Sequence, residues 1–145
     1  MDSLSVRALL LACTVSAYAP GACAKDFLAG PVEARVLSVL DGDTFRAEAH
    51  VWPGHYVKVN VRIRGIDAPE MKARCASERV AALSARDALQ GMLGNTVAIA
   101  NISGAKYYGR VLADVTTADG LVVADRMLGL ALARPYGGGR RDKWC

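Results

Sequence analysis

The chain has 145 residues, with 18 Lys and Arg against 14 Asp and Glu, a formal net charge of +4 and a pI near 9.0. That length fits one domain rather than several, and no apolar run in it is long enough to cross a bilayer as a helix. The basic surplus suits an acidic partner, nucleic acid being the commonest, although charge alone does not select one.

Residues 1–24 read as an export signal: Arg7 opens it, the run from Ala8 to Val15 is a short apolar core, and Ala22-Cys23-Ala24 is a small-x-small cleavage site. Cys13, after Leu10-Leu11-Ala12, leaves a lipid-anchored alternative open. Cleavage after Ala24 removes one base (Arg7) and one acid (Asp2), so the net charge is unchanged. The expectation is a secreted or periplasmic domain over 25–145, about 120 residues and enough for one core. Cys13 and Cys23 leave with the signal, and Cys75 and Cys145 remain. In an exported protein such a pair is most simply a disulfide, here closing a loop of about 70 residues worth about 4 kcal/mol in the chain-entropy model. In a cytosolic chain the same pair would be two free thiols, and their spacing matches no zinc motif.

Residues 32–40, rich in Val and Leu, predict a strand that ends at Asp41-Gly42-Asp43, and a second strand runs from Thr44 toward Val51. Trp52-Pro53-Gly54-His55 breaks the chain. A period-two stretch follows, with Val57, Val59, Val61 and Ile63 on a core face and Lys58, Asn60, Arg62 and Arg64 on a basic one. Pro69 ends it, because proline keeps the residue before it out of the helical region. Ser77 is placed to cap a helix running to about Leu93, in which Ala82, Ala85, Leu89 and Met92 recur at helical spacing and Gly94 is the stop. Further strands are expected over 96–102 and 109–116, then a turn at Asp119-Gly120, a short strand over 121–123 and a helix over 124–132. The tail over 135–141 reads as irregular, and the chain has no internal repeat. Strands interrupted by one central helix imply an α+β fold, a small five-stranded Greek-key barrel with two packed helices, a type that often binds oligonucleotides.

Three polar clusters stand out on this apolar scaffold: Asp41-Gly42-Asp43-Thr44, the segment from Arg62 to Glu70, and Tyr108-Gly109-Arg110. Asp43 and Asp67 each offer a carboxylate at a strand end, the hard oxygen ligand that Ca²⁺ takes. Glu70, three residues after Asp67 and beyond Pro69, can face the same pocket and polarise a water as a general base. Arg62 and Arg110 can donate forked hydrogen bonds to phosphate oxygens, where negative charge builds in phosphoryl transfer. Each cluster alone has an ordinary structural explanation as a turn, a solvated strand face or a loop start. Together, in this order, they are the parts for metal-assisted cleavage of a phosphodiester.

With Val39-Leu40 before the first cluster and Tyr107 to Ala113 around the third, these residues resemble the thermonuclease family, the staphylococcal-nuclease-like Ca²⁺-dependent nucleases, over nearly all of residues 32–136. The resemblance implies an OB-fold barrel with packed helices. It also implies hydrolysis of DNA and RNA, single-stranded or denatured, by a monomer that leaves 3′-phosphates. It assigns Ca²⁺ to Asp43, Asp67 and the backbone carbonyl of Ala68, the general base to Glu70, and phosphate contacts to Arg62 and Arg110. Tyr108 matches a tyrosine near the nucleotide phosphate, and Asp41 an acid just outside the metal shell. The sequence departs from the prototype at several points. Tyr107 stands in place of a lysine, with Lys106 one position earlier, and Pro135 in place of a base-stacking tyrosine, with Tyr136 as the adjacent substitute. The loop after Glu70 is shorter and the connection around 52–56 longer. The prototype's C-terminal helix has no counterpart before Cys145, and a Cys75–Cys145 bond is its expected replacement, tying the tail back near the active-site loop. The alternative is a catalytically inactive OB-fold module of the cell envelope that binds nucleic acid; a structural protein of an envelope complex would have no such affinity.

Overall fold

The computed structural model describes residues 26–145, so the expected export signal and its cleavage site lie outside the described residues. In chain order the elements are β1 (Phe27–Leu28), β2 (Val32–Asp41), β3 (Thr44–Trp52), β4 (His55–Ile63), β5 (Ile66–Asp67), α1 (Ala76–Leu93), β6 (Thr96–Gly104), β7 (Arg110–Thr117), α2 (Val123–Gly129) and β8 (Arg134–Pro135). β2, β3 and β4 form an antiparallel meander. β7 then runs parallel to β4, and β6 bridges β7 back to β2, which closes a five-stranded barrel of mixed direction. With α1 and α2 packed on it, this is the α+β, OB-fold-like barrel that the strand pattern implies. No helix among the described residues is long and apolar enough to cross a membrane.

Period-two alternation explains the core. Phe45, Val61, Ile63, Ile99 and Val115 point into the barrel, and Leu89, Leu93 and Met127 from the two helices complete one apolar cluster. The alternation on β4 buries Val61 and Ile63 but leaves Val57 exposed. The reason is topological: β4 is joined to β7 only from Asn60 to Ile63, so the outer half of the β3–β4 hairpin projects past the barrel. Trp52 and Tyr56 on that projecting tip are exposed as well.

α1 begins at Ala76, with Cys75 rather than Ser77 at the cap position and no side-chain cap bond. Cys75 is instead held by a disulfide to Cys145, with Cα atoms 6.0 Å apart and a sequence separation of 70. α2 stops at Gly129, shorter than the expected 124–132. Ala131 takes a left-handed conformation (φ 55°), the Ala131 N–H donates to the Leu128 carbonyl and the Leu132 N–H to the Met127 carbonyl. This is a Schellman ending, normally built on glycine, and the sequence carries no glycine there to announce it. The expected strand over 121–123 reduces to a single bridge between Thr116 and Val122. The tail read as irregular contains β8, which pairs antiparallel with β5, Asp67 opposite Arg134.

Gly42 has a role that its place in a turn disguises. A Cβ there would lie 2.6 Å from the Ala85 Cβ of α1 and 2.8 Å from the Ala68 Cβ. The glycine is needed so that α1 can lie directly on the β2–β3 turn, the turn that carries Asp43. Gly42→Ala is expected to destabilise the fold by about 1–3 kcal/mol through overpacking. A urea unfolding midpoint equal to that of the wild type would show that α1 can shift away at no cost.

Candidate active site

Five separate segments converge at one end of the barrel. The β2–β3 turn supplies Asp41 and Asp43, β4 supplies Arg62, β5 supplies Asp67, the loop before α1 supplies Ala68 and Glu70, and the start of β7 supplies Arg110. Register explains part of this: Thr44, next to Asp43, pairs with Arg62, and Asn60 on β4 pairs with Arg110 on β7. The strands thus bring together residues that lie far apart in the chain.

Asp43 is buried, 2% exposed. Its Oδ1 accepts hydrogen bonds from Arg62 Nη1 at 2.7 Å and Thr44 Oγ1 at 2.8 Å, and its Oδ2 accepts one from the Ala68 N–H at 2.9 Å. Asp67 is buried beside it. Its Oδ1 accepts from Arg62 Nη2 at 3.3 Å and its Oδ2 from Trp144 Nε1 at 3.2 Å. Arg62 therefore bridges the two carboxylates assigned to the metal. A second guanidinium, that of Arg141, pairs through Nε with Asp67, donates from Nη2 to the Ala68 carbonyl at 3.0 Å, and pairs through Nη1 with Glu70.

Above this floor opens a cleft of about 560 Å³, lined by Asp41, Arg62, Glu70, Lys106, Arg110 and Tyr136 among others. Glu70 is half-exposed on its rim. The Arg62 guanidinium lies 5.9 Å from the centre of the Tyr136 ring, and the Tyr136 N–H donates to the Gly65 carbonyl at 2.8 Å. Pairing of β8 with β5 is what delivers Tyr136 here. Tyr108 does not line the cleft; it is fully exposed, and Tyr107 takes the inner position. The Tyr107 ring centre lies 5.6 Å from the Lys106 charge and 5.4 Å from that of Arg110.

Crowding of carboxylates sets the electrostatics. Burial, then the neighbouring charge of Asp43, pushes the Asp41 carboxyl up to about 7. Burial disfavours the charged form of Arg141, but its hydrogen bonds to Glu70 and Asp67 outweigh this and hold it above the ordinary arginine value. The site is thus built for positive charge, and the Arg141 guanidinium acts as a stand-in cation on the very oxygens expected to ligate Ca²⁺. Buried Asp carboxylates with a backbone carbonyl are the hard oxygen set that Ca²⁺ prefers, so the residues fit that ion.

Among the described residues, Cys75, Glu78 and Cys145 also bring ligand atoms within 4.8 Å of one another. Both sulfurs are bonded to each other in the disulfide, so that group has no thiolate to offer a metal.

Arg141 and Trp144 are the site residues that the sequence did not disclose. Arg141 belongs to no motif, and the one available signal was Cys145, whose pairing with Cys75 brings the tail back to the loop after Glu70. No protein-family model matches this chain, and no curated protein matches it.

Proposed function

We propose that this chain is a secreted or periplasmic Ca²⁺-dependent nuclease of low sequence specificity that hydrolyses phosphodiester bonds in DNA and RNA and leaves 3′-phosphate ends. The observation that carries the reading is convergence: Arg62, Glu70 and Arg110 line one cleft, and the buried Asp43, Asp67 and Ala68 carbonyl are joined to that lining through the guanidiniums of Arg62 and Arg141. The disulfide supports export, since such bonds persist in oxidising compartments.

Asp43, Asp67 and the Ala68 carbonyl would hold the cation, which when bound draws charge from the phosphoryl group and helps to orient water. Glu70, on the rim and half-exposed, takes the proton from the attacking water. Arg62 and Arg110 donate to the phosphate oxygens, and their fixed charge stabilises the negative charge that accumulates at phosphorus. Arg62 is already oriented by Asp43 and Asp67, so little reorganisation is needed when substrate arrives. Tyr136 and Tyr107 offer ring faces on which an unpaired base can stack, which suits single strands and no particular sequence. Lys106, beside Tyr107, adds charge for the backbone.

The test is digestion of denatured DNA by the mature, disulfide-bonded protein, with Ca²⁺ and with excess chelator. Cleavage that disappears with chelator is expected, with 3′-phosphate termini on the products. Binding of the DNA without cleavage in either condition would replace the nuclease by a non-catalytic OB-fold binding module.

A further inference from the structure

Arg141 occupies the oxygens that the proposed reaction reserves for its cation. Its Nε pairs with Asp67 Oδ1, its Nη2 donates to the Ala68 carbonyl at 3.0 Å, and its Nη1 pairs with Glu70. Asp67 Oδ1 already accepts from Arg62, and Asp67 Oδ2 from Trp144. While the tail is seated, both Asp67 oxygens and the Ala68 carbonyl are thus engaged by donors, and both residues are buried from solvent.

The contact with Asp67 decides the strength of this arrangement. Asp67 is buried and screened little by solvent, whereas the pair with the half-exposed Glu70 is a surface interaction of small worth. Two features return Arg141 to the site whenever it leaves. Cys145, four positions on, is bonded to Cys75 at the start of α1, so the tail cannot diffuse away and its effective concentration stays high. Trp144 is held between its hydrogen bond to Asp67 and the Arg134 guanidinium, 3.7 Å from its ring centre.

We propose that Arg141 is an intramolecular competitor for the divalent cation, a residue that sets the cation affinity of the site and is displaced from Asp67 and the Ala68 carbonyl when the metal binds. The proposal rests on the assignment of those oxygens to Ca²⁺. A tethered ligand seated in nine molecules of ten lowers the apparent affinity of its competitor about tenfold, because only the remaining fraction is competent.

Calorimetric titration of Ca²⁺ into the oxidised mature protein, wild type and Arg141→Gln, tests this without reference to turnover. The variant is expected to bind Ca²⁺ about tenfold more tightly or better. Equal affinities would overturn the competition and leave the cation site standing. No binding to either protein at millimolar Ca²⁺ would remove the cation site and the competition together. A second measurement needs no change at Arg141 and so is immune to a folding defect there. Displacement should free Trp144 from Asp67, so Ca²⁺ should alter the tryptophan emission of the wild type and leave that of Trp144→Phe, which retains Trp52, unchanged. Emission of the wild type that stays constant through Ca²⁺ saturation would show a tail that remains docked, and would overturn the proposal.

Discussion

Glu70→Gln is expected to lower kcat on denatured DNA by about 10²–10⁴-fold, the usual contribution of a positioned general base. The substitution preserves shape and keeps an amide oxygen for Arg141, so it removes the ability to take a proton and the negative charge beside Arg141. Glu70 stands half-exposed on the rim of the cleft, joined to the buried Asp67 through the Arg141 guanidinium, and its N–H is fixed by the Glu78 carboxylate at 3.1 Å. Stability should therefore change little, and KM should stay close to the wild-type value, since an interaction used only in the transition state appears in kcat. Ca²⁺ affinity should hold or rise, because Arg141 loses a charged partner. Steady-state kinetics and calorimetry on the same preparation separate these effects. Wild-type kcat would remove Glu70 from the role of base, and a KM that rises while kcat holds would make it a substrate contact instead.

The parts of this site that were legible in the sequence are those whose chemistry is local. Asp43 beside Gly42 and Thr44, or Asp67 before Ala68-Pro69, announce strand ends with carboxylates, and the alternation on β4 puts Arg62 on the polar face. The barrel was legible for the same reason, since period-two segments need both a core and partners. Features set by a distant neighbour were not legible. Gly42 looks like a turn residue, and only the packing of α1 reveals why a Cβ is forbidden there. Tyr107 and Tyr108 are adjacent, and which of them enters the cleft depends on how the turn before β7 is folded, with Gly109 at φ 75° and the Arg110 N–H donating to the Tyr107 carbonyl. Arg141 lies in a segment of glycines and charges without periodicity, so its place comes from the disulfide and from the two-residue pairing of β8 with β5.

The same distinction separates the residues that hold the site from those proposed to act in it, and Asp43 belongs to both groups. Three donors converge on its buried carboxylate: Arg62 Nη1, the Thr44 hydroxyl and the Ala68 N–H. Asp43→Ala leaves the Ala68 N–H without its partner, at a cost of about 1–3 kcal/mol. It also breaks a largely buried ion pair, a change that typically costs about 3–5 kcal/mol. Arg62 keeps its weaker contact with Asp67 at 3.3 Å, which places the expected total nearer the lower end of that range. Against a total stability of about 5–15 kcal/mol for a domain, the loss is severe and should show as a large drop in melting temperature. Asp43→Asn retains an acceptor oxygen and should lose less, which makes it the better probe of the metal. Ca²⁺ at a hundred times its dissociation constant should stabilise the wild type by about 2.7 kcal/mol, because it binds only the folded state. Thermal melts with Ca²⁺ and with chelator should show that gain in the wild type and little of it in Asp43→Asn. An Asn variant that gains as much as the wild type would show that Asp43 is no ligand. An Ala variant as stable as the wild type would show that its carboxylate is not what joins the β2–β3 turn, β4 and the loop after β5.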